Sequence, residues 1–341
     1  MKRLLIAATI LCTVILIIPT MLVLFVSETE ETTTSTVRSV AVDQPEEKWS
    51  YNPEDDMTVA VFRSQQNEIE ELPLEQYVMG VVASEMHPNF EMEALKAQAM
   101  TARTYMVKNI LQPRDVQVPD GAMVTDTVTH QVYQSEVELK EKWGADFDLY
   151  MARIQEAVLS TQGQVLTYEG EPIDAMFFST SNGYTENSED YWHSEFPYLR
   201  SVESPWDQSS PRFTAEKMVS VAEFQNRLGV ALPEDGSVGT IVERTDGGRV
   251  AKVVIGGKEL SGRQVREKLE LDSSDFQWQR QGDQIAIQTR GWGHGVGMSQ
   301  YGADGMAKEG KSYEDILVHY YRGVEIEALD PFIAQMTAKA E

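Results

Sequence analysis

Residues 291 to 302 read Gly-Trp-Gly-His-Gly-Val-Gly-Met-Ser-Gln-Tyr-Gly, so five of twelve positions are glycine. Glycine adopts φ > 0 at little cost and lets a second chain approach its backbone closely. Between the glycines stand Trp292, His294, Met298, Ser299, Gln300 and Tyr301. Two readings stand side by side. Either the run lines a site for a polar substrate, or it is a tight loop in which the glycines only relieve steric conflict. It is not a phosphate-binding loop, because the G-x-x-x-x-G-K-[ST] spacing is missing. It is not a dinucleotide fingerprint either: no acidic residue about 20 positions on follows a βαβ start.

The chain has 341 residues, 42% hydrophobic and 9% aromatic, which suffices for a real core. Its net charge of −25 argues against nucleic acid as a partner. Any anionic group that it binds must meet a local arginine. Leu4 to Val26 carries no charge and at about 1.5 Å per residue is long enough for a bilayer core of about 30 Å. Lys2 and Arg3 precede it and Glu28, Glu30 and Glu31 follow. That asymmetry predicts a single-pass anchor with a cytoplasmic N-terminus and an extracytoplasmic remainder. The alternative, a cleaved signal peptide, has no Ala-x-Ala site to support it. Cys12, the only cysteine, lies inside the span, so the exported part has neither disulfides nor a cysteine nucleophile. The expected organisation is a cytoplasmic stub (1–3), an anchor (4–26), a Glu-, Thr-, Ser- and Pro-rich tether (27–55), a main folded domain (56–325) and a tail (326–341).

Within that domain, Met57 to Phe62 reads as a strand and Leu74 to Met86 as a helix stopped by His87-Pro88. Asn89 is the expected N-cap of a second helix, whose apolar positions Met92, Leu95, Ala99, Ala102 and Met106 keep the i, i+3, i+4 period. Further helices are expected at 149–161, 261–269 and 312–321. Strands are expected at 175–178 and 285–289. A hairpin is expected around Asp246-Gly247-Gly248. Helices and strands alternate irregularly, which predicts an α+β fold of mixed helices and short antiparallel strands around a substrate groove.

Glu85 is the leading catalytic candidate. It sits in the apolar stretch Val81-Val-Ala-Ser-Glu-Met-His-Pro88, at the C-terminal end of a predicted helix. Low dielectric and the negative end of the helix dipole both disfavour a carboxylate there. A carboxyl so placed stays protonated towards neutral pH and serves as a general acid. The competing reading is an ordinary surface glutamate or one paired with Lys96 or Arg103.

The stretches Leu72–Met86, Glu93–Tyr105 and Gly291–Gly302 together resemble the stage II sporulation protein D family, whose relatives include the amidase-enhancer proteins. The resemblance runs from about residue 57 to about 325, and the N-terminal anchor fits it. It implies a membrane-anchored lytic transglycosylase of endospore engulfment, in the mother-cell membrane facing the forespore. The implied substrate is peptidoglycan glycan already stripped of stem peptides. The implied partners are a membrane-anchored amidase/endopeptidase and a membrane scaffold protein. The family's catalytic glutamate maps onto Glu85. It would protonate the oxygen between N-acetylmuramic acid and N-acetylglucosamine, then accept the proton of the muramyl C6 hydroxyl as that hydroxyl closes onto C1.

Substrate-binding candidates follow. Arg103 would pair with the muramyl lactyl carboxylate or orient Glu85, or else is a helix-surface or buried ion-pair arginine. Ser179, Ser181, Asn182 and Tyr184 would bind sugar hydroxyls, or else satisfy their own turn. Tyr191, Trp192, Trp292 and Tyr301 would stack on sugar rings or belong to the core. His294 and Gln300 complete the set. Some family members bind zinc through cysteines and histidines after a segment like Asp126–Gln131. This chain keeps His130 there without a cysteine, and His87, His193 and His319 lack ligand spacing with it. No metal and no cofactor are expected. Two rivals remain: a non-catalytic glycan-binding activator of a cell-wall amidase, and a hydrolase using a second carboxylate such as Glu186, Glu189 or Asp190.

Overall fold

Residues 52–113, 118–192 and 194–340 are described by a computed structural model. The span expected at 4–26 lies outside them, as do most of the expected tether and His193. Among the described residues no helix is long and apolar enough to cross a membrane.

The fold is a mixture of helices and short, mostly antiparallel strands. Strands β1 (Thr58–Arg63) and β2 (Glu68–Pro73) form a hairpin, and Val59 and Val61 turn inward from β1 as strand alternation requires. The chain passes straight from Pro73 into helix α1 (Leu74–Glu85) and leaves it at Met86, extended at φ −121° and ψ 147°, just ahead of His87-Pro88. Helix α2 (Met92–Leu111) follows. Its cap position is Glu91 and not Asn89; no side chain caps it there, and the Glu91 N–H donates to Asp304 Oδ1 at 2.8 Å. Strand β3 (Val124–Thr125) runs parallel to β1. Helices α3 (Glu136–Trp143) and α4 (Phe147–Leu159) lead to strands β4 (Gln164–Tyr168), β5 (Glu171–Pro172) and β6 (Phe177–Phe178), then to the short helix α5 (Ser188–Trp192).

Helix α2 is not the one-faced amphipathic helix that its apolar period suggests. Leu95, Ala99, Ala102 and Met106 are buried, and so are Gln98, Thr101, Arg103 and Thr104 on its other faces. The cause is its central position, packed by α1, α4, β4 and the C-terminal helices. Buried polar side chains on it find partners inside the protein: Thr104 Oγ1, for example, accepts the Leu166 N–H at 2.9 Å.

Residues 214–290 form a β-rich lobe with a core of its own, including Phe224, Val253, Val265, Phe276 and Ile287. Its elements are β7 (Thr214–Ser220), α6 (Val221–Leu228), β8 (Thr240–Arg244), β9 (Val250–Ile255), β10 (Lys258–Ser261), α7 (Gly262–Leu269), β11 (Phe276–Gln281) and β12 (Gln284–Arg290). They make two three-stranded sheets, in the orders β11-β12-β7 and β10-β9-β8. The expected hairpin is β8–β9, with a register shift near the turn. Ser261 and Gln264 form a reciprocal capping box at the start of α7, satisfying two backbone donors that would otherwise be free.

The chain then returns to the first core through β13 (Met298–Ser299), α8 (Gln300–Lys308), α9 (Tyr313–Tyr320), β14 (Glu325–Ala328) and α10 (Asp330–Ala340). Of the expected tail, residues 326–340 carry structure instead: β14 pairs with β4, and Leu329, Phe332 and Met336 join the core. The glycine run is knitted to residues 177–186 by the parallel β13–β6 pair and by bridges between Thr180 and Trp292 and between Glu186 and Val296.

Candidate active site

A groove of about 660 Å³ lies where the C-terminal end of α1 faces the glycine run. Its walls are the end of α1 (Ser84, Glu85), the segment Val128–Val132, the strand β6 with Ser179, and Trp292–His294 together with Gln300 and Tyr301.

Glu85 is the last residue of α1 and is half-buried. Burial raises its carboxyl above the ordinary 4.5, against the pull of hydrogen bonds from the Val132 N–H and the Gln300 side chain and of the Lys142 charge. The Val132 N–H reaches Oε1 at 3.0 Å. Gln300, 5% exposed, also donates from Nε2 to Gln98 Oε1 at 3.3 Å, so the start of α8 is tied to both α1 and α2. Beside Glu85, Gln131 is 1% exposed. Its Oε1 accepts the Tyr77 hydroxyl at 3.1 Å, while its Nε2 has no hydrogen-bond partner among the described residues. A buried donor without an acceptor costs about 1–3 kcal/mol, and a groove ligand offering a carbonyl or hydroxyl would remove that cost.

His294 is enclosed by Phe178, Tyr191 and Trp192, with ring centroids 5.6, 5.7 and 4.9 Å away. Its Nδ1 accepts the Val296 N–H at 3.1 Å. Burial and the charges of Arg266 and Arg249 draw its pKa down to about 3, opposed by a bond to the Phe177 backbone. Such an imidazole is neutral at physiological pH and shapes the wall without exchanging protons. Beneath it Arg249 is 1% exposed and donates from Nη1 to Glu186 Oε1 at 3.2 Å and to the Tyr184 carbonyl at 3.2 Å. A side chain on Gly295 would strike that guanidinium, which accounts for the glycine there.

The structure therefore brings together Glu85, Ser179, Trp292, His294, Gln300 and Tyr301, and Trp192 and His130 join them. It does not bring Arg103, Ser181, Asn182 or Tyr184 into the groove lining. Arg103 has no exposed surface and holds Glu75 by both oxygens, at 2.8 and 2.7 Å. Of its readings the buried ion pair prevails, because Arg103 lies on a face of α2 enclosed by α1, α4 and β4. Ser181 is likewise inaccessible and donates to the buried Asp207 through its N–H and its hydroxyl. Asn182 Nδ2 donates to the Gly247 carbonyl and to Asp275 Oδ2, at 2.9 and 3.0 Å, pinning this loop to the β-rich lobe. Tyr184 is 45% exposed but outside the lining. Tyr191 contributes behind the wall, packed edge-on against Trp192 at 5.0 Å. Among the described residues no group of three or more His, Cys, Asp or Glu side chains could hold a metal ion; the His130 Nδ1 instead meets the Thr125 N–H and hydroxyl at 3.2 and 3.0 Å.

Residues that the sequence did not single out also line the groove, notably Gln131, Tyr105, Phe90 and Arg212. Gln131 had a signal, since it closes the segment around His130. Arg212, in a Pro- and Ser-rich stretch, had none.

Comparison with known proteins bears on what this groove belongs to. The sequence profile described as Stage II sporulation protein matches residues 62–168, the segment that carries Glu85, α2 and Gln131. Stage II sporulation protein D of Bacillus subtilis (strain 168) is 48% identical across 99% of this chain and 100% of its own length. The chain belongs to the Stage II sporulation protein D family. The family member from Bacillus amyloliquefaciens is also 48% identical, over 96% of this chain and 97% of its own. An amidase enhancer of Bacillus subtilis (strain 168) is 27% identical over 72% of this chain and 40% of its own length. Alignment to the sporulation proteins over nearly the whole chain takes in the glycine run as well as Glu85.

Proposed function

We propose that this sporulation protein is a lytic transglycosylase that cleaves the bond between N-acetylmuramic acid and N-acetylglucosamine in peptide-stripped peptidoglycan. The observation that carries the reading is that Glu85 is the only carboxyl among the described residues lining the groove. A two-carboxyl glycosidase needs its second group about 5–5.5 Å or about 6.5–9.5 Å from the first, as nucleophile or as base for water. Glu186 is buried against Arg249, Glu189 is paired with Arg200, and neither they nor Asp190 line the groove. One carboxyl suffices when the substrate supplies its own nucleophile. Glu85, whose neutral form burial favours, donates its proton to the bridging oxygen as the C1–O bond breaks. The resulting carboxylate then accepts the C6 hydroxyl proton while that oxygen closes onto C1, leaving a 1,6-anhydro end and restoring the acid. The Val132 N–H and the Gln300 amide, bonded to the carboxyl, hold it in place through both halves of the cycle.

The same reading makes the N-terminal apolar run a membrane anchor, the groove domain extracytoplasmic, and an amidase/endopeptidase and a scaffold protein its membrane partners. Mass spectrometry of the products formed on peptide-free glycan strands tests it. The native protein is expected to yield anhydro-muramyl ends, and Glu85→Gln, which keeps the shape but cannot cycle a proton, at least about a hundredfold fewer. Reducing ends carrying an added water would make it a hydrolase. Binding without cleavage by folded native protein would favour an amidase-activating role.

A further inference from the structure

The groove lining includes an arginine whose guanidinium donates to no acceptor among the described residues. Arg212 is exposed, and its guanidinium carbon lies 4.3 Å from the centre of the Trp292 ring. Both residues line the groove, and Arg212 is the only lysine or arginine among the described residues that do. Its position is fixed from the backbone. Its own N–H donates to Ser210 Oγ at 3.1 Å, that hydroxyl is bonded to Thr180 Oγ1 at 2.8 Å, and the next residue, Phe213, accepts the Gly291 N–H at 2.8 Å.

Other described arginines use their guanidinium donors on the protein itself. Arg103 is spent on Glu75, Arg153 on the Pro88 and Phe90 carbonyls, and Arg266 on the Leu271 carbonyl and the Tyr191 hydroxyl. The Arg212 guanidinium has no such acceptor among the described residues, in a chain with 54 acidic side chains. Asp272 is close enough to feel its charge, but no hydrogen bond joins them. The contact with Trp292 engages the charge of the guanidinium and none of its five N–H donors. What remains is a positioned fork of the kind that binds a carboxylate through two parallel hydrogen bonds. With a net charge of −25, the protein repels anions at a distance, so an anionic substituent needs such a local cation.

We infer that Arg212, seated on Trp292, is the specificity-determining subsite for a free carboxylate carried by a sugar in the groove. The inference rests on the glycan-cleaving reading. In that substrate class the carboxylate is the lactyl ether of muramic acid. Once that group is joined to a peptide it becomes an amide, with no charge and a single carbonyl acceptor. Arg212 thus distinguishes glycan with free lactyl groups from glycan whose lactyl groups are acylated onto peptide.

Calorimetric titration of the full-length protein tests this, in a Glu85→Gln background so that no probe is consumed. Two probes are used: an alternating N-acetylglucosamine–N-acetylmuramic acid tetrasaccharide with free lactyl carboxylates, and the same tetrasaccharide with those carboxylates converted to methylamides. The free acid is expected to bind about tenfold or more tightly than the amide, the range of a charge-assisted bidentate pair. Arg212→Gln should abolish that preference by weakening only the free acid, and Arg212→Lys should keep part of it. Equal weakening of both probes in Arg212→Gln would mean that the residue merely props Trp292, and would overturn the inference. Equal binding of both probes by the Arg212-containing protein would overturn it while leaving the glycan reading intact. Binding of neither probe would overturn both. Arg212 is exposed, so its replacement leaves the cores untouched, and a thermal melt of each variant confirms this.

Discussion

Arg103 and Glu75 are both without exposed surface to speak of, at 0% and 1%, and beyond its two bonds to Glu75 Arg103 donates to the Val158 and Gln164 carbonyls at 3.1 and 3.2 Å. It therefore locks α1, α2, α4 and β4 together at one point. Removing one partner of such a pair leaves a buried charge uncompensated, which costs about 3–5 kcal/mol. Arg103→Met is expected to lower the urea midpoint correspondingly, and Arg103→Met with Glu75→Leu to recover most of the loss. A single variant of native stability that no longer binds glycan would instead return Arg103 to a direct role. At this scale Glu85 was legible in the sequence, because an acid at the end of an apolar helix is a local feature. The commitment of Arg103 was not, since its partner lies 28 positions away.

Among the elements, the glycine run behaves as a strap laid across residues 177–186. Gly297 lies at φ +81°, and a Cβ there would fall on the Met176 carbonyl oxygen, which lies just ahead of β6 and accepts the Met298 N–H at 3.0 Å. Gly297→Ala therefore combines an unfavourable backbone with a clash that neither strand can relieve, and is expected to cost about 3 kcal/mol. Gly170, at φ +78° in the β4–β5 turn, has nothing within 4 Å of that position, so Gly170→Ala should cost only the backbone term, about 1–2 kcal/mol. Thermal melts of the two variants compare them; equal losses would show that the strap is looser than its packing implies. The strands and helices with strong local period appear close to their expected places, as β12 does at Gln284–Arg290. The short α3, capped by Ser135 and Glu138, was passed over, although the Ser-x-x-Glu spacing of that capping box is a local signal.

Over the whole molecule, stability should vary with pH through groups of the groove that shift in opposite senses. His294 titrates near 3 when folded, against an ordinary 6.5. The stability it contributes is present above pH 6.5 and is lost as pH falls from 6.5 towards 3. Glu85 is raised from 4.5, so its contribution is complete below pH 4.5 and is lost as pH rises through its folded value. His294→Asn is accordingly expected to flatten the fall in urea midpoint between about pH 6.5 and pH 4; an unchanged slope would mean that the imidazole is not held neutral. The α+β class, the place of Glu85 at the end of an apolar helix and the glycine-rich run were legible in the sequence itself, because each depends on residues adjacent along the chain. Tertiary structure alone decided that Arg103 is enclosed while the Arg212 guanidinium meets no acceptor among the described residues, that residues 214–290 have a separate core, and that 326–340 belong to the fold. Burial and pairing are set by neighbours distant in sequence, which local spacing does not encode.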